Sequence, residues 1–364
     1  EGLRLLRESV AAGGRIDDAA GRLVFGFAAG GEFFVTMAKL RAARFGWARI
    51  VTAAGGSTGA ARMRIHASTS RWQQSHLDAH TNILRSTASA YAAVLGGCDS
   101  LTVSPFDEVF REPDDFSRRL AVNTQRILRE ECHAAAVADP AGGSWFVENL
   151  TREIAEAAWK EFQEAERGAG AADCLAKSAG AQRDAVSKRR RVVVGVNQYA
   201  NPAETLLPAT RDTAAARLAR DFEQLRAAAQ AYAAGHGGPP KIFLLTMGPL
   251  KQHKARADFV RGFLEPGGFE VVYPAGFGTA AEAVAAAKAS GALAAVLCST
   301  DETYPELVPA VASAAGSSLP VILAGYPADH VEAFKAAGVA DFIHLKADCG
   351  AFLAAWQQKL GVSR

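Results

Sequence analysis

Polar and apolar positions alternate along residues 62–70, so that a strand there carries Arg64, His66, Ser68 and Ser70 on one face and Ile65 and Ala67 on the other. Leu101 and Val103 alternate in the same way with Ser100, Thr102 and Ser104. Helical periodicity follows each strand, over 81–95 and 114–138, and an earlier strand at 22–27 is followed by a helix over 32–47. A further helix is expected over 145–166. Asp114, after Pro113, is placed to cap the 114–138 helix, whose apolar face would carry Phe116, Leu120 and Ile127. A strand that precedes a helix covers one face with it, so the apolar face belongs under the helix and the polar face turns toward what the sheet encloses. An ordinary βα barrel fills its middle with Val, Ile and Leu, and a hydroxyl-lined interior therefore predicts a channel for a long polar ligand. The alternative is a one-sided sheet with its polar face in solvent.

The second half of the chain has a different pattern. Apolar runs at 242–245, 269–272, 293–297, 321–323 and 341–344 each precede an amphipathic stretch, which describes a doubly wound, flavodoxin-like domain with a parallel sheet. Ligands of such sheets bind outside the carboxyl ends of the strands, here 246–253, 298–304 and 324–327. The run Gly235-His236-Gly237-Gly238-Pro239-Pro240 is the sharpest linker signal. The expected organisation is an α/β chain with a barrel-type region at 1–165, a helical linker region at 166–239 and the doubly wound domain at 240–364.

Charge narrows the partners. The 364 residues hold 40 Lys plus Arg against 38 Asp plus Glu, and the only basic run, Lys188-Arg189-Arg190-Arg191, is expected to be a solvated loop. Such a balance argues against nucleic acid or a membrane surface as partner, since either needs a concentrated basic face. Five cysteines at 98, 132, 174, 298 and 349 form no metal-type spacing and fit a reducing cytoplasm. No apolar run has a spanning length of about 20 residues. The chain starts at Glu1 in what reads as the middle of a helix, and only three strand–helix units precede residue 165. It is therefore expected to be the C-terminal part of a longer chain, with roughly the first five units of an eight-stranded barrel upstream.

Several ordered motifs carry a resemblance. Arg64-Ile65-His66-Ala67-Ser68-Thr69-Ser70, Asn82-Ile83-Leu84-Arg85, Gly96-Gly97-Cys98-Asp99-Ser100-Leu101 and Phe106-Asp107-Glu108 come first. Pro113-Asp114-Asp115-Phe116-Ser117-Arg118-Arg119, Asn123-Thr124-Gln125 and Asp139-Pro140-Ala141-Gly142-Gly143-Ser144-Trp145-Phe146-Val147-Glu148 follow in order. Together they resemble the (β/α)8 TIM barrel of the methylmalonyl-CoA mutase family. Upstream, Ala38-Lys39-Leu40-Arg41-Ala42-Ala43-Arg44 extends the match, and Val192-Val193-Val194-Gly195-Val196-Asn197-Gln198-Tyr199 matches the region between the family's two domains.

The resemblance implies an adenosylcobalamin-dependent isomerase that converts methylmalonyl-CoA to succinyl-CoA by a radical rearrangement, with a cobalamin-binding domain after the barrel. In that domain an Asp-x-His-x-x-Gly segment ligates cobalt, a Ser-x-Leu segment follows the third strand and a Gly-Gly follows the fourth. This chain departs at each. His253 lies one residue late, with Lys251 where the supporting Asp would stand, and is either a displaced cobalt ligand or a surface residue at a helix start. The third signature reads Cys298-Ser299-Thr300, the fourth Ala324-Gly325, and Asp301-Glu302 bring charge to the mouth of the slot.

The barrel half departs as well. Ser68 stands where catalytic members have a glutamine, His80-Thr81-Asn82 where they have Tyr-Asn-Asn, and Thr102-Val103-Ser104 where they have His-Thr-Asn. Losses in both halves resemble the small, non-catalytic subunit of the heterodimeric enzymes. Such a chain would support a catalytic large subunit and bind no cobalamin itself. Arg64, His66 and Ser68 would be left as a contact for acyl-CoA, while His253, Cys298, Thr300 and Gly325 mark a degenerate cofactor site. The rival readings are an active methylmalonyl- or isobutyryl-CoA mutase with His253 on cobalt, and a regulatory or assembly binding module. The isolated 1–165 region, with unpaired strand edges, is expected to aggregate.

Overall fold

The alternation at the start of the chain becomes a three-stranded parallel sheet in the computed structural model, which describes residues 1–168, 171–211 and 216–362. Helices α1 (Gly2–Ala11) and α2 (Ile16–Arg22) lead into β1 (Val24–Ala29), α3 (Phe33–Ala53), β2 (Arg64–Thr69), α4 (Thr81–Leu95) and β3 (Ser100–Thr102). The sheet order is β1-β2-β3, with Gly26 opposite His66 and His66 opposite Ser100. Phe25, Phe27, Ile65, Ala67 and Leu101 face one way and pack with Leu40, Trp47, Val51 and Ala93 from α3 and α4. The other face, from Gly26 and Ala28 through Arg64, His66 and Ser68 to Ser100 and Thr102, is exposed or half-buried.

Helix α5 (Asp115–Arg126) begins as the sequence indicates: the Asp114 carboxylate accepts from the Ser117 N–H at 2.8 Å. Two expectations for this helix fail. It continues through one π turn, Ile127–Glu131, and stops there, because His133 has φ 49°, in the left-handed region a right-handed helix cannot enter. Of the expected face, Leu120 is half-buried against Phe106 and Phe110, but Phe116 and Ile127 are not the ones covered. Phe116 and Ile127 are 62% and 45% exposed, while Ser117, Ala121 and Leu128 are buried, with Ala121 and Leu128 packing on Ala90 and Val103. Close approach to α4 selects small residues over large apolar ones. After the turn, α6 (Trp145–Glu166) is tied to α3 by Arg41, which pairs with Asp139 and, at 2.6 Å, with Glu148.

Two compact units result. One comprises Glu1–Ser178 with Leu207–Arg217, the other Ala179–Leu206 with Leu218–Arg364. The stretch 166–239 read as a linker is thus divided between them, and the chain passes from one unit to the other within α7 (Ala171–Ser187). In the second unit the basic run after α7 is only partly a solvated loop. Lys188 and Arg190 pair with Asp184, and the half-buried Arg189 guanidinium lies 5.7 and 5.9 Å from the ring centroids of Phe259 and Phe263. Buried Asn197 then pins 186–197 by donating to the carbonyls of Val186 and Arg191, both at 2.8 Å.

Helix α8 (Arg220–His236) ends at Gly237, whose φ of 75° is the left-handed cap that glycine adopts without strain. Then strand and helix alternate: β4 (Lys241–Thr246), α9 (Leu250–Leu264), β5 (Glu270–Val272), α10 (Ala280–Ala289), β6 (Ala294–Cys298), α11 (Tyr304–Ala315), β7 (Val321–Ala324), α12 (Val331–Ala336), β8 (Val339–Ile343) and α13 (Cys349–Lys359). All pairings are parallel in the order β5-β4-β6-β7-β8. Phe243, Leu245, Leu297 and Leu323 meet Val284, Val308 and Val311 of α10 and α11 on one face, and α9 packs on β4, β6 and β7. Every residue of β6 and β7 is buried, as expected of strands covered on both sides.

Candidate functional site

The residues singled out in the sequence fall into three places, one in the first unit and two in the second. On the open face of the first sheet, His66 is held by hydroxyls of the neighbouring strand. Its Nδ1 lies 2.8 Å from Ser100 Oγ and its Nε2 3.3 Å from Thr102 Oγ1. Since a hydroxyl both donates and accepts, either tautomer of the neutral ring is satisfied. Ser68 shares this face one register position along, opposite Ala28 and Thr102. Arg64 begins the same face, but its guanidinium bonds the Gly21 carbonyl. His66 and Ser68 therefore present hydrogen-bonding side chains beside the backbone of Gly26, with both His66 nitrogens held by Ser100 and Thr102. The carboxylate that matters here is Asp99, to which pattern reading assigned no role. It accepts from the Ile65 N–H at 2.7 Å and from Arg44 at 3.0 Å, fixing the start of β2. Burial works against its charge, but these partners outweigh it and hold the carboxyl below the usual aspartate range.

The second place is at the carboxyl ends of β4, β6 and β7. Numbered within the sheet, the order is 2-1-3-4-5, and its change of direction between β4 and β6 is where a ligand crevice belongs. Here hydrogen bonds join the strand ends on both sides of β4. The Met247 N–H donates to the Cys298 carbonyl at 3.0 Å, Ser299 Oγ bonds the Met247 carbonyl at 3.4 Å, and Phe277 and Gly248 extend the pairing on the other side of β4. Beyond β6, Tyr304 is fully buried. Its hydroxyl donates to the Ala324 carbonyl at 2.5 Å and accepts from the Ser299 N–H at 3.2 Å, and burial pushes the phenol up to about 12.

Arg256 reaches over from α9 to close the same space. Nη1 donates to the Ala324 carbonyl at 3.1 Å, Nη2 pairs with Asp301 at 2.9 Å, and the guanidinium carbon sits 5.0 Å from the centre of the Tyr304 ring. Burial opposes the charge on Arg256, yet Tyr304 and Asp301 hold its pKa above the ordinary value. Cys298, Thr300 and Gly325 surround this closure. Cys298 is wholly buried, which pushes its thiol up. The Thr300 carbonyl accepts from both the N–H and the hydroxyl of Thr303. Gly325 has φ 131°, and a Cβ there would stand 3.1 Å from Arg256 Nη1. Tyr304 and Arg256 thus meet each other and the Ala324 carbonyl between these strand ends. Tyr304 falls within the strand-end segment 298–304 indicated by the sequence, whereas Arg256 was not found from sequence.

His253 lies apart from this group. It sits in the first turn of α9 but is only 2% exposed, so it is not a surface residue. Its Nδ1 is 3.1 Å from the Gly248 carbonyl, which can only accept, so the ring donates there. It lines a cleft of about 590 Å³ with Gly248, Pro249, Leu250, Lys254 and residues 273–276. Among the described residues no group of three or more His, Cys, Asp or Glu side chains is placed to hold a metal ion, and no helix is long and apolar enough to cross a membrane.

Comparison with known proteins places these features in a family. The methylmalonyl-CoA mutase family matches residues 1–235. The chain is 35% identical to the methylmalonyl-CoA mutase small subunit of Porphyromonas gingivalis, over 99% of this chain and 62% of that one. It is 38% identical to the small subunit from Streptomyces virginiae, over 100% and 60%. The methylmalonyl-CoA mutase of Escherichia coli is 35% identical over 55% of this chain and 29% of its own. The chain thus spans about 60% of the length of the small subunits it matches. With most of its length inside the family's pattern, this chain belongs to the methylmalonyl-CoA mutase family.

Proposed function

We propose that this chain is the C-terminal portion of a small, catalytically silent subunit of an adenosylcobalamin-dependent methylmalonyl-CoA mutase. In this reading the first unit is part of a (β/α)8 barrel that continues upstream, and the second is a flavodoxin-like domain of the cobalamin-binding type that has lost its ligand. Both small subunits compared above match nearly the whole chain, whereas the E. coli mutase matches little more than half. A catalytic large subunit would hold the cofactor and isomerise methylmalonyl-CoA to succinyl-CoA, and this chain would stabilise it as a heterodimer through an obligate interface. Five unpaired cysteines fit a cytoplasmic setting.

The observation that carries the reading is the closure of the strand ends by Tyr304 and Arg256. A nucleotide tail entering there would have to break the hydrogen bonds to the Ala324 carbonyl and the Asp301 ion pair. Each buried polar group stranded in this way costs about 1–3 kcal/mol. The residues present do not fit cobalamin, and no step of the reaction is assigned to them. The open face of the first sheet supports a residual role, contact of His66 and Ser68 with an acyl-CoA.

The test is a cobalamin titration of the full chain, following the absorption change at cobalt, with a catalytic member of the family as control. No binding at concentrations that saturate the control supports the silent subunit. A histidine-ligated spectrum would sink it and move the chain to the active acyl-CoA mutases, with His253 as the ligand.

A further inference from the structure

Two helices of the first unit begin with paired aromatic residues, Phe33-Phe34 at the start of α3 and Trp145-Phe146 at the start of α6. The buried faces of these helices lie elsewhere, at Met37, Leu40, Trp47 and Val51 of α3 and at Val147 and Thr151 of α6. The aromatics meet one another on the outside. Between ring centroids, Phe34 lies 5.1 Å from Phe146 and 5.3 Å from Phe33, and Phe33 lies 5.7 Å from Tyr91 of α4, so one row crosses three helices without a break. Val35 extends it beside Phe34, and Leu84 lies two turns before Tyr91 on the same face of α4.

Phe34, Phe146 and Trp145 are 50%, 58% and 86% exposed, and Val35, Leu84 and Tyr91 are exposed with them. At about 150–250 Å² for a whole aromatic side chain, the row leaves roughly 700 Å² of mainly apolar surface open. That lies above the largest patch of a typical monomer, about 300–600 Å², and near the ~800 Å² that each partner of a standard interface buries. Enrichment in aromatics with depletion of charge is also the composition of an interface core. The cations nearest along these helices are engaged within the unit. Lys39 donates to the Ala28 carbonyl at 2.6 Å, Arg41 pairs with Asp139 and Glu148, and Arg85 bonds Asn82 Oδ1 at 2.8 Å. Cations so engaged suit an uncharged protein face rather than anionic lipid, which calls for free basic residues.

We infer that this aromatic row is the surface through which the chain docks its large subunit, against a partner face that is apolar and uncharged at the contact. The inference rests on the small-subunit reading and names the surface which that reading leaves open. Trp145 is the anchor, since the most exposed ring of the row has the most area to bury and Trp is enriched among the residues that carry binding energy.

The experiment uses the full small subunit containing this chain, alone and with its large subunit. Assembly is read by sedimentation velocity, and the exposure of Trp145 by iodide quenching, taken as the difference between wild type and Trp145→Phe. Trp145 is expected to be quenched in the subunit alone and shielded in the heterodimer. Trp145→Asp puts an acid in the first turn of α6, where the helix dipole favours one, so the fold is not threatened. Desolvated without a partner in the interface, that carboxylate should weaken the heterodimer about tenfold or more. Leu345→Asp, at an 85% exposed position of the second unit, should leave assembly unchanged. A heterodimer that Trp145→Asp does not weaken overturns this surface and leaves the small-subunit reading standing. No heterodimer in the wild type overturns the reading, and the surface with it. Shielding of Trp145 without the large subunit gives the row to upstream residues of the same chain if the subunit is monomeric, or to a second copy if it is dimeric, and either overturns the assignment.

Discussion

The two sheets of this protein treat their faces in opposite ways. In β6 and β7 every residue is buried, while β2 alternates between buried Ile65 and Ala67 and the more open Arg64, His66 and Ser68. A strand covered on both sides has no position left for a polar side chain, so the second unit carries its own two-sided core. In the first unit one face packs under α3 and α4, and the other presents imidazole and hydroxyl groups that satisfy one another. Chemistry survives on the face the helices do not cover. In the second unit, where ligands of such sheets bind at the strand ends, side chains of the chain itself bond one another there.

That contrast can be broken most sharply in the second core. Trp356 is 1% exposed and donates from Nε1 to Asp341 at 2.9 Å. Trp356→Ala should cost about 3–5 kcal/mol, read as a fall in the urea midpoint of the unit that contains it. A loss below about 1 kcal/mol would contradict a tightly packed two-sided core. At the closed strand ends, Tyr304→Phe should cost about 1–3 kcal/mol, because it takes the acceptor from the Ser299 N–H and a donor from the Ala324 carbonyl. The same variant should still bind no cobalamin in the optical titration, since Arg256 remains in place.

Smaller effects sharpen the account of the first sheet. Asp99 titrates below its unfolded value, so its contribution is complete above the unfolded pKa and disappears as pH falls through the folded one. Amide exchange at Ile65, corrected for intrinsic rates, should therefore accelerate on acidification below the ordinary aspartate range. In Asp99→Asn that exchange should be faster already at neutral pH and lose its acid step. The smallest change belongs to the open face. His66→Ala should shift stability by no more than about 0.5 kcal/mol, because it unburies nothing and its hydroxyl partners remain near solvent. A loss of several kcal/mol would mean that this face is not open.

Local signals made much of the fold legible. The five strand positions of the second unit, the extent of α4 and the capping role of Asp114 follow from periodicities and hydrogen bonds that act over a few residues. The face of α5 did not follow. Phe116, Leu120 and Ile127 form as good an apolar stripe as the one that is buried, but only Leu120 of these packs on the core, while the close approach of α4 prefers Ser117 and Ala121. Arg189 gave the opposite error: a basic run is usually solvated, but Phe259 and Phe263 from a distant helix supply a surface for its guanidinium.

The division of labour is plainest at the candidate cofactor site. The sequence by itself determined that the chain alternates between strand and helix, that the resembled signatures are altered at His253, Cys298, Thr300 and Ala324, and that β2 has a polar face. It could do so because backbone period and residue type are properties of neighbouring positions. Only the tertiary structure decided that His253 is buried with Nδ1 on the Gly248 carbonyl, and that Arg256, Asp301, Tyr304 and Ala324 close on one another. Those contacts join α9, the turn after β6, α11 and the end of β7. Long side chains and a shared carbonyl meet there because the parallel sheet brings its carboxyl ends together, whatever their separation along the chain.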